Sequence, residues 1–174
     1  MTSTDLQPSN KAVLAEQFDA IVRLPFAFVG VRTRGDFVAE ISFLADDVHS
    51  RAATNSLAQR AVDELIAYCA DGSRPIDLPL AIVGTAFQRS VWDEIACIPP
   101  GATRTYGELA RRLKADARAV GQACGDSRLP LAIACHRVIS ASGVGGFAHR
   151  RGGAFERIKR WLLLHEAGDE LRLV

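Results

Sequence analysis

The sequence predicts an α/β arrangement over residues 1–80 followed by a helical one over residues 81–174. Three observations predict this division. Phe37, Ala39, Ile41 and Phe43 alternate with more polar neighbours, the period of a half-buried strand. Apolar residues recur at helical spacing from Ser56 to Ala70. From Gly84 onward, capping boxes and short turns replace the β-prone runs.

In chain order, residues 1–10 are polar and expected to fray. Pro25 to Leu44 is a hairpin candidate: Phe26 to Val31 is β-prone and Arg34-Gly35-Asp36 supplies the turn. The Ser56–Ala70 helix carries Leu57, Ala61, Leu65 and Cys69 on one face, and Asp71-Gly72-Ser73-Arg74-Pro75 ends it. Asp77 to Val83 is a candidate further strand leading out of this first part. Thr85-Ala86-Phe87-Gln88 is a capping box for a helix with Phe87, Val91 and Ile95 inward, stopped by Ile98-Pro99-Pro100-Gly101. Thr105-Tyr106-Gly107-Glu108 is a second capping box, for a helix reaching Leu113. Lys114-Ala115-Asp116 turns, and Asp116 caps a helix from Ala117 to Cys124. Two short helices around a tight turn form a helix-turn-helix pattern, which occurs both in DNA-binding domains and in helical corners that touch no nucleic acid. A basic loop, His149-Arg150-Arg151-Gly152-Gly153, precedes an amphipathic helix with Phe155, Ile158, Leu162 and His165 on one side.

Composition narrows the class. With 174 residues, 48% hydrophobic and 24% charged, the chain can build a substantial core and is not disordered. Its four cysteines lack paired metal-type spacing and suggest a reducing, intracellular setting. Met1 to Asp5 has neither the basic start nor the apolar run of a signal peptide, so a cytoplasmic location is expected. Residues 1–80 carry seven Lys and Arg against eleven Asp and Glu, and residues 81–174 carry fourteen against nine. The second part can therefore face a polyanion while the first faces away.

The chemistry concentrates in Ala134-Cys135-His136-Arg137-Val138-Ile139, after the strand-like run Leu129 to Ile133 and before a turn at Ser140 to Gly143. Cysteine attacks as the thiolate, so a neighbouring base separates a reactive thiol from an inert one. From these two residues alone, a reactive pair and a buried Cys beside a hydrogen-bonded His are both open.

Four blocks in order, with near-family spacing, resemble the O6-alkylguanine-DNA alkyltransferases, the methylated-DNA–protein-cysteine methyltransferases. They are Gly84 to Gln88 with Val91-Trp92; Ile98-Pro99 through Gly101 to Thr105-Tyr106-Gly107-Glu108-Leu109-Ala110; Arg118 to Ala123; and Cys135 to Ile139. Trp161-Leu162-Leu163 with His165-Glu166 closes the match, which is strong over 84–168 and rests on pattern over the first 80 residues.

The resemblance implies a ribonuclease-H-like α/β domain (1–80) and an all-α, winged-helix-like domain (81–174) holding the helix-turn-helix and reactive cysteine. It makes Cys135 the nucleophile, His136 its base through a bridging water, and Glu166 the group that orients His136. Tyr106 is the residue that crowds the target phosphate and protonates departing guanine. Arg118 is the finger filling the space of the extruded base. Gly107, Ala119, Arg137 and Ala141 join Arg118 and Tyr106 on DNA, while Val138, Ser127, Gly146 and Phe147 surround the base. The implied partner is double-stranded DNA carrying O6-alkylguanine, with O4-alkylthymine left open, bound by a monomer without a cofactor.

This chain departs from the family pattern at several points. Ser127-Arg128 replaces Asn-Pro before the active-site segment, and Ala134 replaces the Pro before Cys135. The turn before Arg118 lacks its usual Gly/Pro character, and the loop from Gly145 to Ala154 is several residues longer than is typical. The resemblance implies that this stretch forms one wall of the guanine pocket, and its extra length either covers the pocket or adds phosphate contacts through Arg150 and Arg151. Some family branches bind zinc through early Cys and His residues; no Cys precedes Cys69, so no metal is expected. Two competing readings are a non-catalytic protein that binds alkylated bases and recruits another repair pathway, and a Cys-His hydrolase or redox thiol protein.

Overall fold

The computed structural model describes residues 16–149 and 152–168. A three-stranded antiparallel sheet of order β1-β2-β3 opens the fold, with β1 Ala20–Arg23, β2 Phe28–Arg34 and β3 Phe37–Leu44. Val29 and Val31 on β2 and Val38 and Ile41 on β3 turn inward, and the register slips between Arg32 and Thr33. Such a slip bends the strand and increases its twist. The expected hairpin is present; β1 adds a strand that so short a run did not announce.

Helix α1, Ser56–Ala70, packs across this sheet, with Asn55 accepting from the Ala58 amide as its N-cap. Its inner face is Ala58, Ala61, Leu65 and Tyr68; Ala61 and Leu65 are buried as expected, while Ala58 and Tyr68 replace Leu57 and Cys69, which are half-buried at the margin. Truncating fully buried Leu65 to Ala is expected to cost about 2–5 kcal/mol.

Residues 77–83 do not form the expected strand. Only the 79–81 stretch meets the β3 edge: Pro79 accepts from Val38 and Ala81 donates to Val38, around a single bridge at Leu80. Proline has no amide to extend the ladder, which is why the pairing stops.

The second part holds α2 (Ala86–Ala96), α3 (Tyr106–Leu113), α4 (Ala117–Gly125) and α5 (Gly153–Glu166). Both expected capping boxes form, Thr85 with Gln88 and Thr105 with Glu108. Asp116 accepts from the Arg118 amide at the start of α4. On α2, Trp92 replaces Phe87 in the buried set beside Val91 and Ile95, and Phe87 is exposed. The indole N–H of Trp92 donates to the Ala123 carbonyl at 2.9 Å, so this large ring ties α2 to α4. The second part is not strictly all-helical. Strand β4, Arg104–Thr105, pairs in parallel with β5, Val138–Ile139.

Several contacts join the early sheet and helix to the helical part. Ile41 donates to Arg128 at 2.9 Å, and His165 Nε2 lies 2.7 Å from the Tyr68 carbonyl. Phe43 meets Phe147 and Phe26 meets Trp161, with ring centroids 5.5 and 4.9 Å apart. No helix among the described residues is long and apolar enough to cross a membrane.

Candidate active site

Cys135 lies in a single 3₁₀ turn, Cys135–Arg137, rather than at the end of a strand. The preceding apolar run curls because Ile133 donates back to Leu129 at 2.8 Å and Leu131 adopts a left-handed φ of 73°. An apolar run of this length does not specify a strand; here it buries Leu129, Leu131 and Ile133 while turning. Cys135 then emerges, largely buried, in a cleft of about 640 Å³. The opposing walls are α4, with Arg118, Gly121, Gln122, Cys124 and Gly125, and the loop Gly146 to His149. Tyr106, Gly107 and Ala141 lie at its edge.

Behind the turn sits a charged cluster centred on Glu166. One carboxylate oxygen, Oε1, faces His136 Nε2 at 2.7 Å, the Tyr68 hydroxyl at 2.8 Å and an Arg137 terminal nitrogen at 2.9 Å. The other, Oε2, accepts from Arg137 Nε at 2.9 Å and from the Gly101 amide at 3.3 Å. Burial opposes the charge of Glu166, yet the bonds from His136 and Arg137 hold its carboxyl well below the usual range. Burial pulls His136 below its ordinary value, and the Glu166 bond offsets this only in part. The resulting state is an ionised Glu166, a cationic Arg137 and a neutral His136. An ionised carboxylate can only accept, so Nε2 carries the imidazole proton. Nδ1 is therefore the acceptor nitrogen, and it is buried without a side-chain or backbone partner among the described residues.

The thiol is not idle. Its hydrogen bond with the Cys124 thiol, together with burial, pushes Cys135 well above the ordinary thiol range, while Lys159 acts in the opposite direction. At neutral pH, Cys135 is a thiol whose proton must be removed during any attack. Lys159 is fully buried on α5 and donates to the Val138 and Gly146 carbonyls at 2.6 and 2.9 Å. Burial lowers its amine to about 8, against the pull of Cys124 and Cys135.

Sequence reasoning missed Lys159, the Cys124 contact and the Tyr68 hydroxyl. The signal for Lys159 was present: Phe155, Lys159, Leu162 and Glu166 recur at spacings of three and four, placing a cation and a carboxylate on the inward face. Cys124 is a buried core residue that also lines the cleft, whereas Cys97 is exposed at the end of α2.

The expected residues divide into groups. Cys135, Tyr106, Arg118, Gly107, Ala141, Gly146 and Phe147 all border the one cleft, and Ala119 is exposed on α4 beside Arg118. His136 and Glu166 meet behind it. Three placements need correction. Arg137 is turned inward: its guanidinium holds both oxygens of Glu166 and the Ile98 carbonyl at 2.7 Å, leaving the side chain 12% exposed. Buried carboxylate outcompetes solvent for that planar fork. Ser127 borders a different cleft, with Arg32, Arg34 and Trp92, and its hydroxyl accepts from the Leu129 amide behind the cysteine. Val138 is fully buried and contributes its carbonyl to Lys159 instead of lining the cavity. Arg150 and Arg151 lie outside the described residues, as does the 1–10 segment.

Comparison with known proteins agrees with this architecture. The family described as "6-O-methylguanine DNA methyltransferase, DNA binding domain" matches residues 86–168. A methylated-DNA–protein-cysteine methyltransferase of Mycobacterium tuberculosis H37Rv is 43% identical over 102 residues, 55% of this chain and 62% of that protein. One from Shigella flexneri is 44% identical over 108 residues, 60% of each chain. One from Mycobacterium leprae is 38% identical over 115 residues, 63% of this chain and 70% of that protein. The matched region thus spans about three fifths of the first two relatives. The crystal structure of the Mycobacterium tuberculosis O6-methylguanine methyltransferase superposes with a TM-score of 0.72 at 32% identity, covering 86% of this chain and 92% of that one. The same organism's OGT, crystallised in complex with DNA, gives 0.71 at 33% identity with the same coverage. With its cysteine, helix pair and closing helix all inside the matched residues 86–168, the chain belongs to the methylated-DNA–protein-cysteine methyltransferase family.

Proposed function

We propose that this chain repairs DNA by taking the alkyl group of O6-alkylguanine onto Cys135. The observation that carries the reading is the buried His136–Glu166–Arg137 cluster beside a cleft-lining thiol, with the α3–α4 pair at the cleft edge. That pair is the helix-turn-helix of a mainly helical, winged-helix-like domain over 81–174, preceded by a ribonuclease-H-like domain over 1–80, and the chain works as a monomer.

Catalysis begins with the base leaving the stack, because O6 of a paired guanine is out of reach of a buried sulfur. Extrusion costs about a few kcal/mol. Arg118, exposed at the start of α4, fills the vacated space, and Gly107, Ala119 and Ala141 lie against the backbone. Minor-groove entry of this kind needs no base code, only phosphate contacts and deformability. His136 Nδ1 takes the Cys135 proton through a bridging water, since adjacent side chains do not face each other. The sulfur attacks the alkyl carbon, a new S–C bond forms and the C–O6 bond breaks. Tyr106, whose hydroxyl donates to the Gly146 carbonyl at 3.2 Å, supplies a proton to the departing guanine. The thioether has no hydrolytic exit, so each molecule acts once.

Intact-mass measurement after incubation with duplex DNA containing O6-methylguanine tests this. One added methyl, mapped to Cys135, is expected. Tight binding without added mass would instead establish the non-catalytic alkylated-base reading.

A further inference from the structure

The loop that walls the cleft makes a side-chain contact with the end of α4. His149 Nε2 lies 2.8 Å from Asp126 Oδ1, across the cleft from its own strand of loop. Asp126 caps the end of α4, and its other oxygen accepts from Gln88 at 2.9 Å, the residue that closes the α2 capping box. The imidazole also lies against Gly125: a Cβ there would be 2.4 Å from His149 Nδ1, so only glycine leaves room. Ala148 and His149 both hold left-handed backbone, φ 50° and 63°. Two such non-glycine residues in succession persist only where surrounding contacts over-determine them. The wall is pinned at its other end as well. The Gly146 carbonyl accepts from Tyr106 and Lys159, and Phe147 is buried against Phe43.

The loop wall and the α4 wall are therefore tied together at the end of α4, two residues after Cys124, beside the cleft that Cys124, Cys135 and His149 line. In-line displacement places sulfur, carbon and O6 on one axis, and the other three substituents of that carbon spread perpendicular to it, toward the two walls. For a methyl group these are hydrogens. For a benzyl group one of them is a ring.

We propose that His149 is a specificity-determining residue that latches the loop to Asp126 and so restricts the cleft to small alkyl groups. The proposal rests on the transfer reading above and adds its substrate class, the small O6-alkyl adducts. His149 acts on the fit of the adduct and takes no part in proton movement. At 42% and 35% side-chain exposure the pair is held by a solvent-screened hydrogen bond, one that a bulky adduct can open at a finite penalty.

The test is a competition between O6-methylguanine and O6-benzylguanine in otherwise identical duplexes. It uses single-turnover transfer by wild type, His149→Ala, Asp126→Ala and the double variant, with thermal melts of each. Losing the latch is expected to raise the benzyl-to-methyl rate ratio roughly three- to tenfold, the range for one half-exposed charge-assisted hydrogen bond. The double variant should match Asp126→Ala, because that change already removes the His149 contact along with the Gln88 bond. A ratio within about twofold of wild type in both singles, inside the scatter expected of unrelated surface changes, would overturn the proposal. So would additive effects in the double variant. A wild type that transfers neither group overturns the transfer reading itself and the proposal with it. Normal wild-type transfer with an unchanged ratio sinks the latch alone.

Discussion

Replacing Glu166 by Gln keeps the shape of the side chain and removes its charge, and five donors make that a severe change. Tyr68, His136 and Arg137 converge on one carboxylate oxygen, Arg137 and the Gly101 amide on the other. A glutamine amide offers one acceptor oxygen and one NH₂ group. Whichever way it turns, the NH₂ faces at least two donors, and Arg137, 12% exposed, becomes a nearly buried cation without its anion. Breaking a buried pair this way costs about 3–5 kcal/mol. Because Arg137 keeps its bond to the Ile98 carbonyl, the lower end, about 3 kcal/mol, is expected. At about 2–4 °C per kcal/mol for a chain of this size, the melting temperature should fall by about 6–12 °C. His136 also loses the carboxylate charge that fixes its proton on Nε2, so methyl transfer should slow by roughly 100-fold or more, the usual worth of a positioned base. Calorimetry and single-turnover transfer, the latter run well below the variant's melting temperature, measure the two effects separately. A melt within about 2 °C of wild type, less than 1 kcal/mol at this size, would refute the five-donor account.

Cys135→Ala is expected to abolish alkyl uptake while leaving DNA affinity within about threefold, since the thiol faces the cleft and holds no phosphate; alkyl found on Cys124 by peptide mapping would reassign the nucleophile. Arg118→Ala should slow transfer from duplex DNA far more than from free O6-benzylguanine, because only the duplex must be opened; equal loss on both would make Arg118 a support of the fold. Stability should fall on acidification. Burial lowers His136 below 6.5, and the Glu166 carboxyl is held below 4.5, so across each interval the unfolded chain binds more protons than the folded one. Urea midpoints measured from pH 7 downward check this, and a flat profile would contradict it. On the alkaline side two effects oppose: the Lys159 amine, lowered from 10.5 to about 8, contributes stability that rises with pH, while the raised Cys135 and Cys69 thiols lose it, so Lys159→Met should steepen the alkaline fall in stability relative to wild type.

Local chemistry was legible in the residues. The capping boxes at Thr85 and Thr105, the Asp116 cap, the Ser56–Ala70 helix and the Arg34-Gly35-Asp36 turn each depend on side chains within four positions of the backbone they serve. Such contacts are written into spacing, and the folded chain kept them. The order of the motif blocks likewise brought the family, and with it the pairing of His136 with Glu166, within reach. What spacing does not carry is the direction a side chain takes when partners lie far along the chain. Arg137 reads equally well as a DNA contact or as a buried ion pair; Glu166, 29 residues away, draws it inward. A motif position around the base fits Ser127 and Val138 equally well, but Ser127 accepts from the Leu129 amide behind the cysteine and Val138 is buried with its carbonyl on Lys159. The His149 latch spans 23 residues and depends on a glycine whose missing side chain matters only once the loop folds over it. Nearby groups compete through geometry that the backbone already imposes, whereas distant groups compete through burial and charge, and those exist only after the helices and the sheet have met.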